Sequence, residues 1–348
     1  KTMHNLDPYH YNEGVYGAVK EVNGDEEAVV WGRSAWTGSQ AFPMHWGGDP
    51  QTSWNGMSAA LRGGLSASLS GITLWSHDIG GFRGTPSSEL YIRWAQFGLL
   101  SSNSRCHGTT PREPWEFGSE ALDIFREYAE LRYRLLPYIY TAAEVAARTG
   151  LPVVRPLVFG YQDDPATHTI DTQYSLGPDL LIAPVFGADT ERDVYLPEGE
   201  WRDHWTGEYH NGGRWITVDA PLDRQPMFVR AGSVVPQRAA TQRTRPGTPD
   251  HMEFHATVDR SATTAEGQFY DEDTDTMITV TIEHDGGRVV AEWDEVSAQT
   301  TTIVLRTADR VAAPTTFVVN GEPLTRVGED PNAGEWVVRD DGSVVALQ

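Results

Sequence analysis

Cysteine is nearly absent from this chain of 348 residues: Cys106 stands alone. No internal disulfide framework can form, and the expected compartment is a reducing, cytoplasmic one. Lysine is almost as scarce, with Lys1 and Lys20 the only two, so arginine supplies nearly all of the 27 basic residues against 49 acidic ones. The resulting net charge of −22 excludes nucleic acid and an anionic membrane surface as main partners. No stretch approaches the roughly eighteen consecutive apolar residues of a membrane-spanning helix. Metal-ligand spacing is missing too. His45, His77, Cys106 and His107 show no i, i+4 or C-x-x-C arrangement. Asp271, Asp273 and Asp275 mimic the start of a calcium loop, but Thr276 replaces its turn glycine and Ile282 its bidentate glutamate. The glycine pairs at 47–48, 63–64 and 80–81 form no phosphate-binding fingerprint and read as tight-packing sites. No metal and no cofactor are expected.

What is abundant is acidic and aromatic residues, the latter with 12 Trp, 13 Tyr and 11 Phe. Acid-rich, lysine-poor chains resemble halophilic, salt-adapted proteins, in which carboxylates keep the surface hydrated; a GC-rich genome favouring arginine codons is the plainer alternative. The length suffices for two or three domains and a sizeable core. Residue 1 reads as the middle of something larger.

Four apolar runs are strand candidates: Ala28–Trp31, Ile72–Trp75, Phe97–Ser101 and Val153–Phe159. Helical patterns lie between them. One covers Tyr11–Val22, and a second, Met57–Leu69, sets Met57, Leu61, Leu65 and Leu69 at i, i+4 spacing. Leu90–Phe97 is a shorter amphipathic run. Ser119 is expected to cap a long helix kinked at Pro137 and closed by Gly150. Such alternation implies an α/β fold with a parallel sheet. Four units make the second half of a (β/α)8 TIM barrel, and half a barrel has open edges that need partners.

The texture changes after about residue 165. Short alternating strands with turn signals (PEGEW, TGEYHNGG, DAPLDRQP) suggest an antiparallel β-domain reaching about Gln237. Ala239–Asp250 reads as a linker, and hairpin signals at Asp285-Gly286-Gly287 and Asn320-Gly321 mark a second antiparallel β-domain. The predicted division is 1–165, 166–238 and 239–348. Glu26–Glu27 and Asp163–Asp164 read as solvated loop charges.

The chemistry concentrates in RSAWTGSQAFPMHWGGD at 33–49, WSHDIGGF at 75–82 and SSNSRCHG at 101–108. Each follows or closes an apolar run, and in barrels the active site gathers at the C-terminal ends of the strands. Asp49, flanked by glycines and indoles, suits a general acid if burial disfavours its anion; a solvated turn aspartate is an equal alternative. Arg33 can hydrogen-bond sugar hydroxyls and hold a neighbouring carboxylate, or serve a structural ion pair. Trp46 can stack on a pyranose or plug the barrel end. His107 can donate to a hydroxyl near the anomeric carbon.

These three segments together resemble glycoside hydrolase family 31, and their HWGGD and WSHDIGGF wording is most similar to its α-xylosidase branch. QYSLGPDLLIAPVF, VYLPEGEWRDHWTGE and FYDEDTDT resemble later parts of the same family. The resemblance implies Asp49 as general acid/base, with Arg33, Trp46 and His107 lining the subsite of the departing sugar and Asp78 and Phe82 forming its floor. It implies a retaining double displacement with a second aspartate as nucleophile, the carboxyls roughly 5 Å apart. That aspartate belongs to a Lys-x-Asp-x-x-Glu-like motif that this chain lacks; Asp7 has the wrong surroundings. The expected partners are therefore an oligosaccharide substrate and the N-terminal half of the same enzyme, with a homo-oligomer left open. The expected activity is release of terminal α-linked xylose. The alternatives are an α-glucosidase or α-transglucosylase, or a non-catalytic carbohydrate-binding remnant.

Overall fold

Four parallel steps at the start of the chain carry the three chemistry-bearing segments. The computed structural model describes residues 2–24, 28–258, 264–285, 287–307, 314–328, 330–339 and 343–348; Glu26, Glu27 and Gly286 lie outside them. Helix α1 (Thr2–Asn23) comes first. The run from Ala28 then lies alongside β1 (His45–Trp46). Val30 N donates to Pro43 O at 2.7 Å and Gly32 N to Met44 O at 2.8 Å, and Gly32 and His45 form a parallel bridge. β1 pairs in parallel with β2 (Trp75–Ser76), and β3 (Asp78–Ile79) with β4 (Arg105–Cys106). Helix α2 (Trp54–Leu69) leads from β1 to β2, and α3 (Ser88–Leu99) from β3 to β4. Ser53 and Ser87 cap these helices through side-chain oxygens that accept from Gly56 N and Leu90 N.

Two strand expectations are corrected here. Phe97–Ser101 is the end of α3 and the turn after it, and the strand proper is β4. Leu90 to Leu99 are all buried, Arg93 and Gln96 included, and the apolar end of such a helix, taken by itself, reads like a buried strand. Val153–Phe159 contributes only β5 (Val154–Arg155) before a 3-10 turn at Leu157–Phe159. β5 pairs antiparallel with β6 (Tyr174–Leu176), outside the parallel arc.

The long helix is two helices. α4 (Ser119–Arg134) begins after Gly118, which occupies the cap position in place of Ser119. The chain then breaks at Leu135, and α5 (Leu136–Thr149) carries Pro137 in its first turn, where a missing N–H costs nothing. Gly150 closes α5 in the left-handed region, φ 79°.

A six-stranded sheet follows. It consists of β5, β6, β7 (Leu180–Ile182), β9 (Glu200–Asp203), β10 (Tyr209–Asn211) and β12 (Met227–Arg230), in the order β10-β9-β12-β7-β6-β5. β8 (Glu191–Leu196) and β11 (Arg214–Asp219) form a separate antiparallel pair. The last sheet has eleven strands: β13 (Ser233–Gln237), β14 (His251–Thr257), β15 (Thr264–Asp271), β16 (Thr276–His284), β17 (Arg288–Trp293), β18 (Thr300–Arg306), β19 (Thr316–Val319), β20 (Glu322–Pro323), β21 (Thr325–Arg326), β22 (Glu335–Val338) and β23 (Val344–Leu347). The expected hairpins are present: β16 pairs with β17, and β19 with β20 around Asn320 (φ 47°) and Gly321 (φ 85°). The sheet is nevertheless mixed, which corrects the expectation of a purely antiparallel module. β14 runs parallel to β18, β17 to β19, and β21 to β22. Turn residues announce antiparallel neighbours; parallel pairs need longer connections than a tight turn and leave no such mark.

One buried cluster fuses α2–α5 with the inner face of the six-stranded sheet, through Tyr91, Trp94, Tyr128, Tyr174 and Met227 among others. A second, centred on Phe254, Phe317 and Trp336, fills the eleven-stranded sheet. No helix among the described residues is long and apolar enough to cross a membrane.

Candidate active site

Parallel pairing puts the C-terminal ends of the four steps on one side, and the side chains singled out from the sequence follow those ends. Arg33 comes directly after Gly32, Asp49 three residues after β1, Asp78 opens β3, and His107 follows β4. Backbone bonds lace the loops together: Phe82 N donates to Pro50 O at 2.9 Å, and Thr109 N to Phe82 O at 2.7 Å. Gly81 (φ 78°) makes this possible, because a Cβ there would stand 2.6 Å from Thr52 Cα. Gly81 therefore has a structural purpose in seating one loop on the next.

Arg33 Nη1 lies 3.8 Å from Asp49 Oδ1, with the side chains 58% and 25% exposed. The arginine also packs over the loop backbone; a Cβ on Gly48 (φ 84°) would meet Arg33 Nε at 3.0 Å. Asp49 is thus reachable and faces a cation. A cavity of about 540 Å³ borders Arg33, Trp46, Gly48, Asp49 and Asn55 and continues along the small-residue side of α2.

Asp78 is fully buried, and Arg105 holds it: Nε and Nη2 both reach Oδ1, at 2.8 and 2.7 Å. Its Oδ2 has no hydrogen-bond partner among the described residues. Burial raises the carboxyl above its ordinary pKa, and the bond to Arg105 with its charge opposes that rise. The same guanidinium lies over two indoles, 4.7 Å from the Trp46 ring and 5.5 Å from Trp31, while Arg33 approaches Trp46 at 5.9 Å. A continuous chain of contacts therefore runs Asp49–Arg33–Trp46–Arg105–Asp78. Phe82 and His107 form a second group, their rings 5.4 Å apart.

Sequence reasoning missed Arg105. It stands two residues before His107, so on an extended strand the two share a face; placing the strand at Phe97–Ser101 hid this. Two expectations gain detail. The carboxylate of Asp78 lies beneath Arg105, away from solvent, and Trp46 has a guanidinium over its ring. His77, considered only as a metal ligand, accepts from Trp94 Nε1 at 2.9 Å, stacks on Phe97 at 4.1 Å, and is held neutral by burial with a pKa of about 3. Among the described residues no three His, Cys, Asp or Glu side chains gather as a metal site.

Comparison with known proteins gives the arrangement its context. Residues 1–142 match the family description "Glycosyl hydrolases family 31 TIM-barrel domain", and residues 150–235 match "Glycosyl hydrolase family 31 C-terminal domain". An Alpha-xylosidase of Emericella nidulans is 40% identical over 243 residues, covering 67% of this chain and 31% of that protein. Alpha-glucosidase 2 of Bacillus thermoamyloliquefaciens is 34% identical over 239 residues, 68% of this chain and 30% of that one. The chain thus spans about a third of the length of these relatives. Among solved structures, the Flavobacterium johnsoniae GH31 dextranase complexed with glucose superposes with a TM-score of 0.88 at 28% identity, covering 99% of this chain and 47% of that one.

Proposed function

Because the chain belongs to glycoside hydrolase family 31, we propose that it carries the acid/base side of a retaining, exo-acting α-glycosidase that releases terminal α-linked xylose from oligosaccharides. One observation carries this reading: Asp49, reachable from solvent at the end of a parallel strand, faces the Arg33 guanidinium at 3.8 Å beside a cavity. In that position it protonates the leaving oxygen and afterwards takes a proton from the attacking water. Arg33, Trp46, Phe82 and His107 border the sugar undergoing cleavage, with Asp78 beneath them. The nucleophilic aspartate comes from the segment that completes the barrel, which the roughly threefold greater length of the relatives accommodates. On this reading residues 1–165 are the second half of a (β/α)8 barrel, followed by β-domains at 166–238 and 239–348.

The α-xylosidase assignment draws on the HWGGD and WSHDIGGF wording and on the relative named for that activity. An α-glucosidase or glucan-cleaving enzyme is the second reading, favoured by the superposition on the dextranase over 99% of the chain. The two differ in whether the pocket admits a C6 hydroxymethyl group. Turnover of aryl α-xyloside against aryl α-glucoside by the complete enzyme decides between them. A kcat/KM ratio favouring xyloside supports the first, the reverse ratio replaces it with the second, and silence on both removes the glycosidase reading.

A further inference from the structure

Arg105 lies 4.7 Å from the ring of Trp46, which borders the cavity, and the reading above leaves it without a role. Its side chain is 26% exposed, whereas Asp78 beneath it is fully buried. A sugar approaching the strand ends therefore meets the guanidinium before the carboxylate. Of its five N–H donors, the one on Nε hydrogen-bonds Asp78 Oδ1 at 2.8 Å, and Nη2 makes an ion-pair contact with the same oxygen at 2.7 Å. Its Nη1 has no hydrogen-bond partner among the described residues. Contacts with the Trp46 ring at 4.7 Å and the Trp31 ring at 5.5 Å, together with the bond to Asp78, restrict how far the guanidinium can swing. Asp78 meanwhile holds Arg105 through one oxygen only, a weaker grip than a two-oxygen fork, and one that depends on the carboxylate remaining charged.

We propose that Arg105 is a substrate-binding residue, donating from Nη1 to a hydroxyl of the pyranose in the cleavage subsite, and that Asp78 is the positioning residue that aims it. This rests on the glycosidase reading and extends it. Asp78 acts through Arg105: when it is ionised the guanidinium is clamped, and when it is protonated the clamp loosens. Because burial raises this carboxyl, loosening begins at a higher pH than for an ordinary aspartate.

The test is a titration of the complete enzyme with D-xylose and D-glucose, followed by tryptophan fluorescence and by saturation-transfer NMR, across pH 4 to 8. Unaltered protein, Arg105→Ala, Arg105→Lys and Asp78→Asn are compared, with far-UV circular dichroism to establish folding. Arg105→Ala is expected to weaken sugar binding by about tenfold or more. Arg105→Lys restores only part of the loss, since a lysine lacks the planar fork. Asp78→Asn weakens binding and also flattens its pH dependence, which a merely structural carboxylate would leave unchanged. Sugar binding that survives both Arg105 substitutions in folded protein overturns the assignment while leaving the glycosidase reading intact. A pH dependence retained in Asp78→Asn overturns the positioning role. Failure of the unaltered protein to bind either sugar overturns both readings together.

Discussion

The Tyr138 hydroxyl accepts the backbone amide of Asp179 at 2.8 Å and donates to the Leu176 carbonyl at 2.9 Å, so one phenol from α5 closes the turn between β6 and β7. The turn is Gly177-Pro178-Asp179, and Gly177 (φ 61°) is needed because a Cβ there would stand 2.4 Å from that hydroxyl. Asp179 is carried inside with it. Burial pushes its carboxyl up to about 6 from an ordinary 3.8, against the opposing pull of Arg230 at 3.4 Å. Between about pH 4 and 6 the native state keeps a proton that the unfolded chain has released, so unfolding free energy falls as pH rises through that window. The full effect is about 3 kcal/mol. Asp179→Asn is expected to remove this slope in urea titrations at pH 4.5, 5.5 and 7; an unchanged slope would assign it to another group.

Helix α2 offers a paired test of packing. A Cβ at Gly64 would lie 1.9 Å from Trp75 Cη2, whereas nothing stands within 4 Å of one at Gly63. Trp75 cannot retreat cheaply, since its Nε1 donates to Ser68 Oγ at 2.8 Å and Ser68 donates on to Val154 O at 2.8 Å. Gly64→Ala should therefore cost about 1–3 kcal/mol through displaced packing. Gly63→Ala should gain about 0.5–1 kcal/mol from helix propensity. Thermal melts of the two variants against the parent measure both; equal effects would show that the indole does not fix α2.

Much of this organisation is legible in the residues themselves. The loops ending in Asp49, Phe82 and His107 carry residue types that a sugar site needs, and α2 announces itself by Leu61 and Leu65 at regular spacing. The failures share a physical origin. The helix α3 is buried all round, so its apolar end at Phe97–Leu99 mimics a strand, and that displacement concealed Arg105. His45–Trp46, only two residues long, is too short to show alternation. The parallel pairs of the last sheet depend on long-range register, which no turn residue reports. The burial of Asp78 is likewise a consequence of assembly: nothing in W-S-H-D-I-G-G-F distinguishes a carboxylate facing solvent from one lying under a guanidinium.

The charge of −22 predicts a salt response. At low ionic strength the acidic surface repels itself and opposes the compact state; salt shortens the range of that repulsion to about 3 Å at 1 M. The midpoint of thermal unfolding should rise between 0.05 and 1 M KCl, by several degrees. If salt adaptation rather than codon usage shaped the composition, glycosidase turnover of the complete enzyme should rise as well. A flat or falling midpoint would leave the arginine excess as a matter of genome composition.

The acid/base assignment of Asp49 makes the sharpest kinetic demand. Protonation of the leaving oxygen matters most when the departing group is a poor one, such as another sugar, and little when it is an activated phenol. Asp49→Ala in the complete enzyme should therefore reduce kcat/KM for an oligosaccharide by about 10³-fold or more. For a dinitrophenyl glycoside the glycosylation step should be largely spared. The glycosyl-enzyme then forms but hydrolyses slowly, since the same carboxylate should activate the water, so a burst of phenol precedes a slow steady state. Azide, which needs no base, should accelerate that steady state and yield a glycosyl azide of retained configuration. Equal losses on both substrates, with no burst and no azide rescue, would remove Asp49 from the acid/base role and leave Arg33 paired with a carboxylate of purely structural purpose.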